Sequence, residues 1–171
     1  MLEKEIEVKV LGFEIQDYIN MVEKIGAKKI STEEQVNHRF VDAKTEGESY
    51  LRLREVDGKG YFTLKERSSS QNARVNSELT TEISEPRTFL EIADKLGIIY
   101  TSESKKRIKY VLEDFVFDID KWSDDVYPFP YMEIEAKSTE ALQSIIARLG
   151  ISEEHISTKS IKELKDSLKS L

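Results

Sequence analysis

Glu5-Ile6-Glu7-Val8-Lys9, close to the N-terminus, is a stretch in which charged and apolar side chains alternate. Because successive side chains of a β-strand point to opposite faces of the sheet, the two glutamates and the lysine share one face. An acidic pair beside a lysine is suited to hold a divalent metal and a phosphate chain together. A half-exposed strand shows the same alternation, so the interpretation depends on whether the pattern returns.

The alternation does return, and the charged positions of each later segment carry mainly one sign. These positions are Arg52 and Arg54, Lys65, Glu78 and Glu82, Lys105 and Arg107, Asp118 and Asp120, and Glu133 and Glu135. Any one of these strands taken alone is typical of an ordinary amphipathic strand with a solvated face. Solvated faces usually mix polar residue types, however, so the segregation favours an enclosed charged face. Closing the sheet into a barrel would place that face inside.

The hydrophobic periodicity predicts about eight strands and four helices. The strands are expected at 3–11, 28–42, 49–56, 60–67, 74–84, 103–112, 115–121 and 131–137. The helices are expected at 13–25, 86–96, 139–149 and about 157–170. Each helix carries an apolar stripe that needs an apolar sheet face to cover, which leaves the other face of the sheet for the charges.

Composition limits the class of protein. The chain has 171 residues, so we expect one domain over 1–171. Charged residues reach 35%, well above the roughly 25% that is usual for soluble domains. The net charge of −7 disfavours a general nucleic-acid binder, and the absence of cysteine excludes disulfides and thiolate metal sites. No apolar run approaches a membrane span, so we expect a cytoplasmic protein with no membrane partner.

Five of these motifs, in order, resemble the CYTH domain, or triphosphate tunnel metalloenzyme, family. They are Glu5-x-Glu7-x-Lys9, Leu51-Arg52-Leu53-Arg54, Thr63-Leu64-Lys65, Lys105-Lys106-Arg107 with Tyr110, and Glu133-Ile134-Glu135. The resemblance runs from Glu5 to at least Gly150. It implies an α+β fold: a closed eight-stranded antiparallel β-barrel that forms a tunnel, with helices packed on the outside.

The resemblance also implies the residues of the site. Triphosphate would bind among Lys9, Arg52, Arg54, Lys65, Lys105 and Arg107. Mg²⁺ or Mn²⁺ would bind carboxylates drawn from Glu5, Glu7, Glu82, Asp118, Asp120, Glu133 and Glu135. Candidates for catalytic proton transfer and charge stabilisation are Glu5, Lys9, Lys65 and Lys105. Two choices stay open, namely which of Asp118 and Asp120, and which of Glu78 and Glu82, faces the tunnel.

One segment departs from the family pattern. Where the family often has an Asp-x-Tyr-Phe-Asp-like run, this chain has Asn37-His38-Arg39-Phe40-Val41-Asp42. Phe40 and Asp42 fit that pattern, whereas the Asp and the Tyr are missing. This affects how the substrate is recognised and leaves the phosphate chemistry unchanged. We expect His38 to lie on the surface of an extended strand, and His155 to lie in a solvated loop.

Three functions are compatible with these residues. The preferred one is a metal-dependent phosphohydrolase acting on inorganic triphosphate or a small organic triphosphate. The alternative is a class IV-type adenylate cyclase, which would convert ATP to cyclic AMP and diphosphate and would need a place for adenine. The third is a module that binds polyphosphate or nucleotide without chemistry. The sequence leaves open whether the protein forms a homodimer.

Overall fold

The computed structural model describes residues 3–41, 49–69 and 73–169. The strands are β1 (Glu3–Val10), β2 (Lys28–Phe40), β3 (Tyr50–Val56), β4 (Lys59–Ser69), β5 (Arg74–Ile83), β6 (Tyr100–Leu112), β7 (Phe115–Trp122), β8 (Tyr131–Ala136) and β9 (Ile156–Ser157). The helices are α1 (Ile15–Lys24), α2 (Pro86–Lys95), α3 (Thr139–Leu149) and α4 (Ile161–Leu168). Asp42, which the sequence comparison named, lies outside the described residues.

The sheet closes into the expected eight-stranded antiparallel barrel. Its strand order is β5-β4-β3-β2-β6-β7-β8-β1, and β1 pairs back with β5 to complete the ring. The short β9 adds a ninth strand, since Val10 of β1 pairs with Ile156. Closure leaves no long open edge, and it separates an inner face from an outer face along each strand.

The main apolar core lies outside the barrel, between the sheet and two helices. On β1, Ile6, Val8 and Val10 are buried on the outer face. They belong to one cluster with Tyr18 of α1 and Leu142 of α3. Fully burying a side chain of this size stabilises a fold by roughly 1.5–3 kcal/mol. The apolar side chains of the strands therefore pack against the helices, and the charged side chains point into the barrel.

The other two helices cover the rest of the barrel. On the outer face of β2 and β3, Phe40 and Leu53 are buried against Phe89 of α2. Leu164 of α4 is buried with Tyr127 and Tyr131 in a third cluster. This cluster brings α4 to one mouth of the barrel, because several α4 side chains line the same internal cavity as the inner strand faces. No described helix is long and apolar enough to cross a membrane.

Two expectations about the C-terminal region were wrong. The last helix begins at Ile161 and not near 157, because Ile156 and Ser157 pair with β1 and Ser160 forms a capping box with Glu163. His155 is not a solvated loop residue. Its ring packs 4.4 Å from that of Phe13, and its Nδ1 lies 2.9 Å from the carbonyl oxygen of Leu11.

Candidate functional site

The inward faces of all eight barrel strands surround a cavity of about 840 Å³. Its lining includes these predicted site residues: Glu5, Glu7, Lys9, Arg52, Arg54, Lys65, Lys105, Arg107, Asp118, Glu133 and Glu135. Asp120 lies against this group and is fully buried. Only Glu82 of the predicted set lies elsewhere. The alternating pattern of the sequence therefore brings both signs of charge together in one enclosed space.

Three carboxylates form an acidic trio on β1 and β8. Glu5, Glu7 and Glu135 each place one oxygen within 4.8 Å of the others. Glu7 and Glu135 are direct partners in the β1–β8 register, and Glu5 is two residues earlier on the same face of β1. Hard carboxylate oxygens at this separation are the ligands that Mg²⁺ and Mn²⁺ prefer.

The electrostatics of the acidic trio fit a bound divalent cation. Burial, together with Glu5, Asp118, Glu133 and Glu7 nearby, raises the pKa of Glu135 to about 8. Burial also raises the pKa of Glu5, partly offset by Lys65. Crowded carboxylates repel one another in a poorly hydrated cavity, and a cation between them would relieve that repulsion. The donor type, the spacing and the charge therefore agree with the metal that the sequence predicts.

Lys65 joins the acidic trio to the neighbouring wall of the barrel. Its Nζ lies 2.8 Å from Glu5 Oε2 and 2.5 Å from Glu78 Oε1. Glu7, Glu5 and Glu78 raise the pKa of Lys65 despite its burial, so Lys65 stays protonated.

Of Glu78 and Glu82, only Glu78 lines the cavity, so the structure does not bring Glu82 together with the other predicted metal ligands. Glu82 shares the inward parity of Glu78 but lies further along β5, at the end of the barrel next to the β3–β4 turn. Its side chain is 55% exposed and pairs with Lys59.

A second region, which we call the paired wall, consists of Lys105 and Arg107 on β6 with Asp118 and Asp120 on β7. Arg107 donates Nε and a terminal nitrogen to the two oxygens of Asp120, at 2.7 and 2.6 Å, and its other terminal nitrogen to Asp118. Lys105 Nζ lies 2.6 Å from Asp120 Oδ2. Both aspartates therefore face inward, which resolves the second open choice.

Glu133 extends this network on β8. It accepts from Arg107 at 3.0 Å and pairs with Lys9 at 3.0 Å. Lys9 and Arg107 hold the pKa of Glu133 well below its usual range. Of the predicted metal ligands, Asp118, Asp120 and Glu133 therefore all form ion pairs with protein cations. In the acidic trio, Lys65 pairs with Glu5 and Arg74 lies 3.7 Å from Glu7, whereas no described cation forms an ion pair with Glu135.

A third region, which we call the open wall, consists of Arg52 and Arg54 on β3. Among the residues that the structure describes, no carboxylate forms an ion pair with either guanidinium. Arg52 Nε is buried without a hydrogen-bond partner, and Arg54 Nε reaches only the Asn37 side chain, at 3.3 Å. Burial and the charges of Arg52 and Arg107 lower the pKa of Arg54 to about 10. Buried cations that lack a carboxylate partner attract an anionic ligand.

Aromatic rings support several of the cavity cations. Lys105 Nζ lies 5.0 Å from the ring centre of Trp122, and Lys9 Nζ lies 5.8 Å from that of Tyr131. At the mouth, Arg39 Cζ lies 4.5 Å from the ring centre of Tyr50. These separations are typical of cation–π contacts.

Sequence reasoning missed some inward-facing residues that a stricter use of the two-residue period would have found. Arg74 and Asn76 precede Glu78 on the same face of β5, and Asn76 Nδ2 donates to Glu7 Oε1 at 3.1 Å. Arg39 shares the inward face of β2 with Asn37 and lines the cavity. Continuing the two-residue period to the start of β5 and the end of β2 would have predicted all three.

The surface position expected for His38 was wrong. His38 is buried on the outer face of the barrel, where Nδ1 lies 2.8 Å from Ser102 Oγ and Nε2 lies 2.7 Å from Glu55 Oε1. His38 and Arg39 are consecutive residues of β2, so their side chains point to opposite faces of the sheet. His38 therefore has no access to the cavity.

Solved structures resemble the whole chain. The PH1012 protein of Pyrococcus horikoshii is 27% identical, with a TM-score of 0.79, over 94% of this chain and 98% of that one. A candidate adenylate cyclase from Vibrio parahaemolyticus has a TM-score of 0.75 at 18% identity, over 96% and 98% of the two chains. The Hippeastrum protein HpAC1, a candidate adenylyl cyclase described as having a dominant triphosphatase activity, has a TM-score of 0.62 at 17% identity, over 92% and 91%.

The last two likenesses show the shared fold alone, because both identities are below 25%. No curated protein matches the chain. The CYTH domain model, in contrast, matches residues 3–161, which include every predicted site residue, all eight barrel strands and the first three helices. The chain therefore belongs to the CYTH domain family.

Proposed function

We propose that this chain is a divalent-metal-dependent triphosphatase that acts on inorganic triphosphate or a small organic triphosphate. The observation that carries the proposal is the combination of the open wall and the acidic trio in one cavity. The open wall supplies cations that form no ion pair with a described carboxylate, and the trio supplies three crowded carboxylates whose charge Lys65 and Arg74 offset only in part. A metal–triphosphate complex satisfies both at once.

The acidic trio is the proposed metal site. Glu5, Glu7 and Glu135 would hold Mg²⁺ or Mn²⁺ through their carboxylate oxygens. The cation would supply charge neutralisation and polarisation of the phosphate oxygens. Lys65 bonds to Glu5, which positions this carboxylate and leaves the ammonium at the boundary between metal and phosphate.

The open wall is the proposed phosphate site. Arg52 and Arg54 can each contact non-bridging phosphate oxygens with a planar pair of donors, as guanidinium groups do in other proteins. Their charge would stabilise both the phosphoryl group in transfer and the diphosphate that leaves. Because no protein carboxylate has to be displaced first, the contact with substrate adds to affinity directly.

Lys105 is the proposed proton acceptor. Burial, with Arg107 and Arg54 nearby, lowers the pKa of Lys105 to about 7, although Asp120 opposes the shift. A general base works best when its pKa lies near the working pH. Water would form a bond to the terminal phosphorus as the bridging P–O bond breaks, its proton would pass to Lys105 Nζ, and diphosphate would leave. Lys65, whose pKa is raised, stays cationic and serves charge stabilisation.

Hydrolysis is preferred to cyclisation because of the aromatic rings. A cyclase must hold adenine, and bases usually stack on exposed aromatic faces. The rings of Tyr50, Trp122 and Tyr131, which line the cavity, each already have a cation over one face. The triphosphatase activity described for HpAC1 also supports this preference.

The test is product analysis with inorganic triphosphate, thiamine triphosphate and ATP, each with Mg²⁺ and with Mn²⁺. We expect orthophosphate release and no cyclic nucleotide. The Glu5→Gln/Glu7→Gln double variant should lower turnover on the order of 100-fold. Glu82→Gln is the matched control, because Glu82 lies on β5 outside the cavity and should leave the rate unchanged.

Other outcomes have definite meanings. Cyclic AMP and diphosphate from ATP would establish the cyclase instead. Binding of triphosphate without any product would establish the binding module. Turnover that survives the double substitution would refute the metal assignment.

A further inference from the structure

Asn76 of β5 lies against the acidic trio, on the side of β1 that is away from Glu135. It is fully buried and is the direct register partner of Glu5, whereas Glu135 pairs with Glu7 from β8. The Asn76 side chain reaches diagonally along β1, where its Nδ2 donates to Glu7 Oε1 at 3.1 Å. The amide therefore extends the row of oxygen-bearing side chains from β8 across β1 to β5.

Glu7 fixes the orientation of this amide. A carboxylate oxygen accepts hydrogen bonds, so the nitrogen end of Asn76 must face Glu7, and the reversed amide would place two acceptors together. The oxygen end is therefore left to find another partner. Asn76 Oδ1 is buried with no hydrogen-bond donor among the described residues. Buried polar atoms in this state are rare, because losing water without gaining a partner is costly.

A bound cation would satisfy this oxygen better than a bound water. The ionised carboxylates of the acidic trio are acceptors as well, and a water molecule has only two protons to donate to such a group. Lys65 and Arg74 offset only part of the negative charge. A divalent cation binds several oxygen atoms at once, and amide oxygens are among the ligands that hard cations take.

Resting on the metal site of the proposed function, we propose that Asn76 Oδ1 is a fourth protein ligand of the divalent cation, beside the acidic trio. The donor set then combines charged and neutral hard oxygens, which suit Mg²⁺ and Mn²⁺ better than metals that prefer nitrogen or sulfur. A neutral fourth ligand adds no negative charge to a site that must also face an anionic substrate. Asn76 thus binds the metal through its oxygen and positions Glu7 through its nitrogen.

The direct test is spectroscopic and needs no substrate. Mn²⁺ is added to wild-type protein whose asparagines carry the magnetic isotope of carbon at the side-chain amide, and the couplings of that carbon to Mn²⁺ are measured by ENDOR. An amide carbon bonded to a ligand oxygen gives a resolved coupling, whereas an amide separated from the ion by a water gives a much smaller one. We expect a resolved coupling. Because the wild type is measured, this result does not depend on the folding of any variant.

Two variants assign the coupling to one residue. Asn76→Ala should remove the coupling and weaken Mn²⁺ binding by about 10–100-fold, measured by calorimetry without substrate. Asn37→Ala is the matched control, because Asn37 is also a buried inward-facing asparagine but contacts Arg54 and not the acidic trio. It should leave both the coupling and the affinity for Mn²⁺ unchanged. A coupling that Asn37→Ala removes and Asn76→Ala keeps would overturn the proposal.

The remaining outcomes separate this proposal from the proposed function. If Mn²⁺ binding is lost in Glu5→Gln/Glu7→Gln but the wild type gives no amide coupling, Asn76 is refuted as a ligand and the metal site stands. Absence of Mn²⁺ binding, or binding that survives the double substitution, would refute both. A coupling from Asn76 without orthophosphate release from triphosphate in Mg²⁺ would establish the ligand and refute the hydrolase.

Discussion

The paired wall and the open wall of the cavity contain the same kinds of cation in opposite electrostatic situations. In the paired wall, Asp120 is fully buried and binds both Lys105 and Arg107. In the open wall, Arg52 and Arg54 have no carboxylate partner among the described residues. The first arrangement is complete within the protein, whereas the second is complete only when an anion is bound.

This difference indicates how one barrel combines stability with binding. A buried charge without a partner is costly, while a buried pair with good hydrogen bonds recovers much of its desolvation penalty. The paired wall therefore contributes to holding β6 and β7 in register. The open wall lowers the stability of the empty protein, and a bound ligand would return that free energy as affinity.

The largest expected effect comes from breaking the paired wall. Asp120→Ala would leave Lys105 and Arg107 buried without their shared carboxylate. Removing one partner of a buried ion pair typically lowers the free energy of unfolding by about 3–5 kcal/mol. Urea unfolding followed by circular dichroism measures this change. A loss below about 1 kcal/mol would mean that the paired wall is not structural.

The opposite result is expected in the open wall. Arg54→Gln removes a desolvated cation, so the free energy of unfolding should stay the same or rise. Affinity for triphosphate should fall by about 100-fold, because charge-assisted contacts to phosphate are lost. Denaturant unfolding and calorimetry on the same sample give both numbers. A loss of stability together with unchanged affinity would remove the distinction between the two walls.

Much of this comparison could be predicted from the sequence because a strand has a strict two-residue period. That period predicted an inner position for Arg52, Arg54, Lys105 and Arg107. It also predicted that Ile6 and the other apolar residues of β1 lie on the outer face, which the helices cover. Closure of the sheet then follows from the same pattern, since only an enclosed inner face accommodates so many charges of both signs.

The period could not show where along the barrel each residue lies. Glu78 and Glu82 share parity, but the stagger of the strands places one beside Lys65 and the other in solvent. Nor could it show which carboxylates pair with cations. That depends on neighbours across strands, such as Arg107 opposite Asp120, and the register is set only once the barrel closes.

The acidic trio extends the comparison, because its carboxylates have too little positive charge nearby. The pKa of Glu135 is about 8 in the folded protein and about 4.5 when unfolded. Protonation of Glu135 therefore stabilises the fold fully below pH 4.5, and this stabilisation is lost as pH rises through 8. In EDTA, the wild type should lose about 2 kcal/mol relative to Glu135→Gln between pH 6.5 and 8.5.

Unfolding free energies of both proteins across that range test the prediction, and Mg²⁺ sharpens it. The difference between the two proteins isolates Glu135 from groups such as Glu133, whose lowered pKa acts in the opposite direction. Added Mg²⁺ at pH 8.5 should stabilise the wild type more than the variant. A difference that does not change with pH would mean that Glu135 is ionised throughout.

The smallest expected effect lies outside both walls and tests how sharply the cavity ends. Glu82→Gln removes an exposed pair with Lys59, and such surface pairs contribute about 0–1 kcal/mol. Glu78→Gln, two strand steps away on the same face, removes a partner that lies 2.5 Å from Lys65 inside the cavity. Comparing Tm and triphosphate affinity for the two variants should therefore show a clear change for Glu78 alone. Equal changes in Tm and affinity for the two variants would mean that Glu82 shares the electrostatic environment of the cavity, which would then extend to the end of β5.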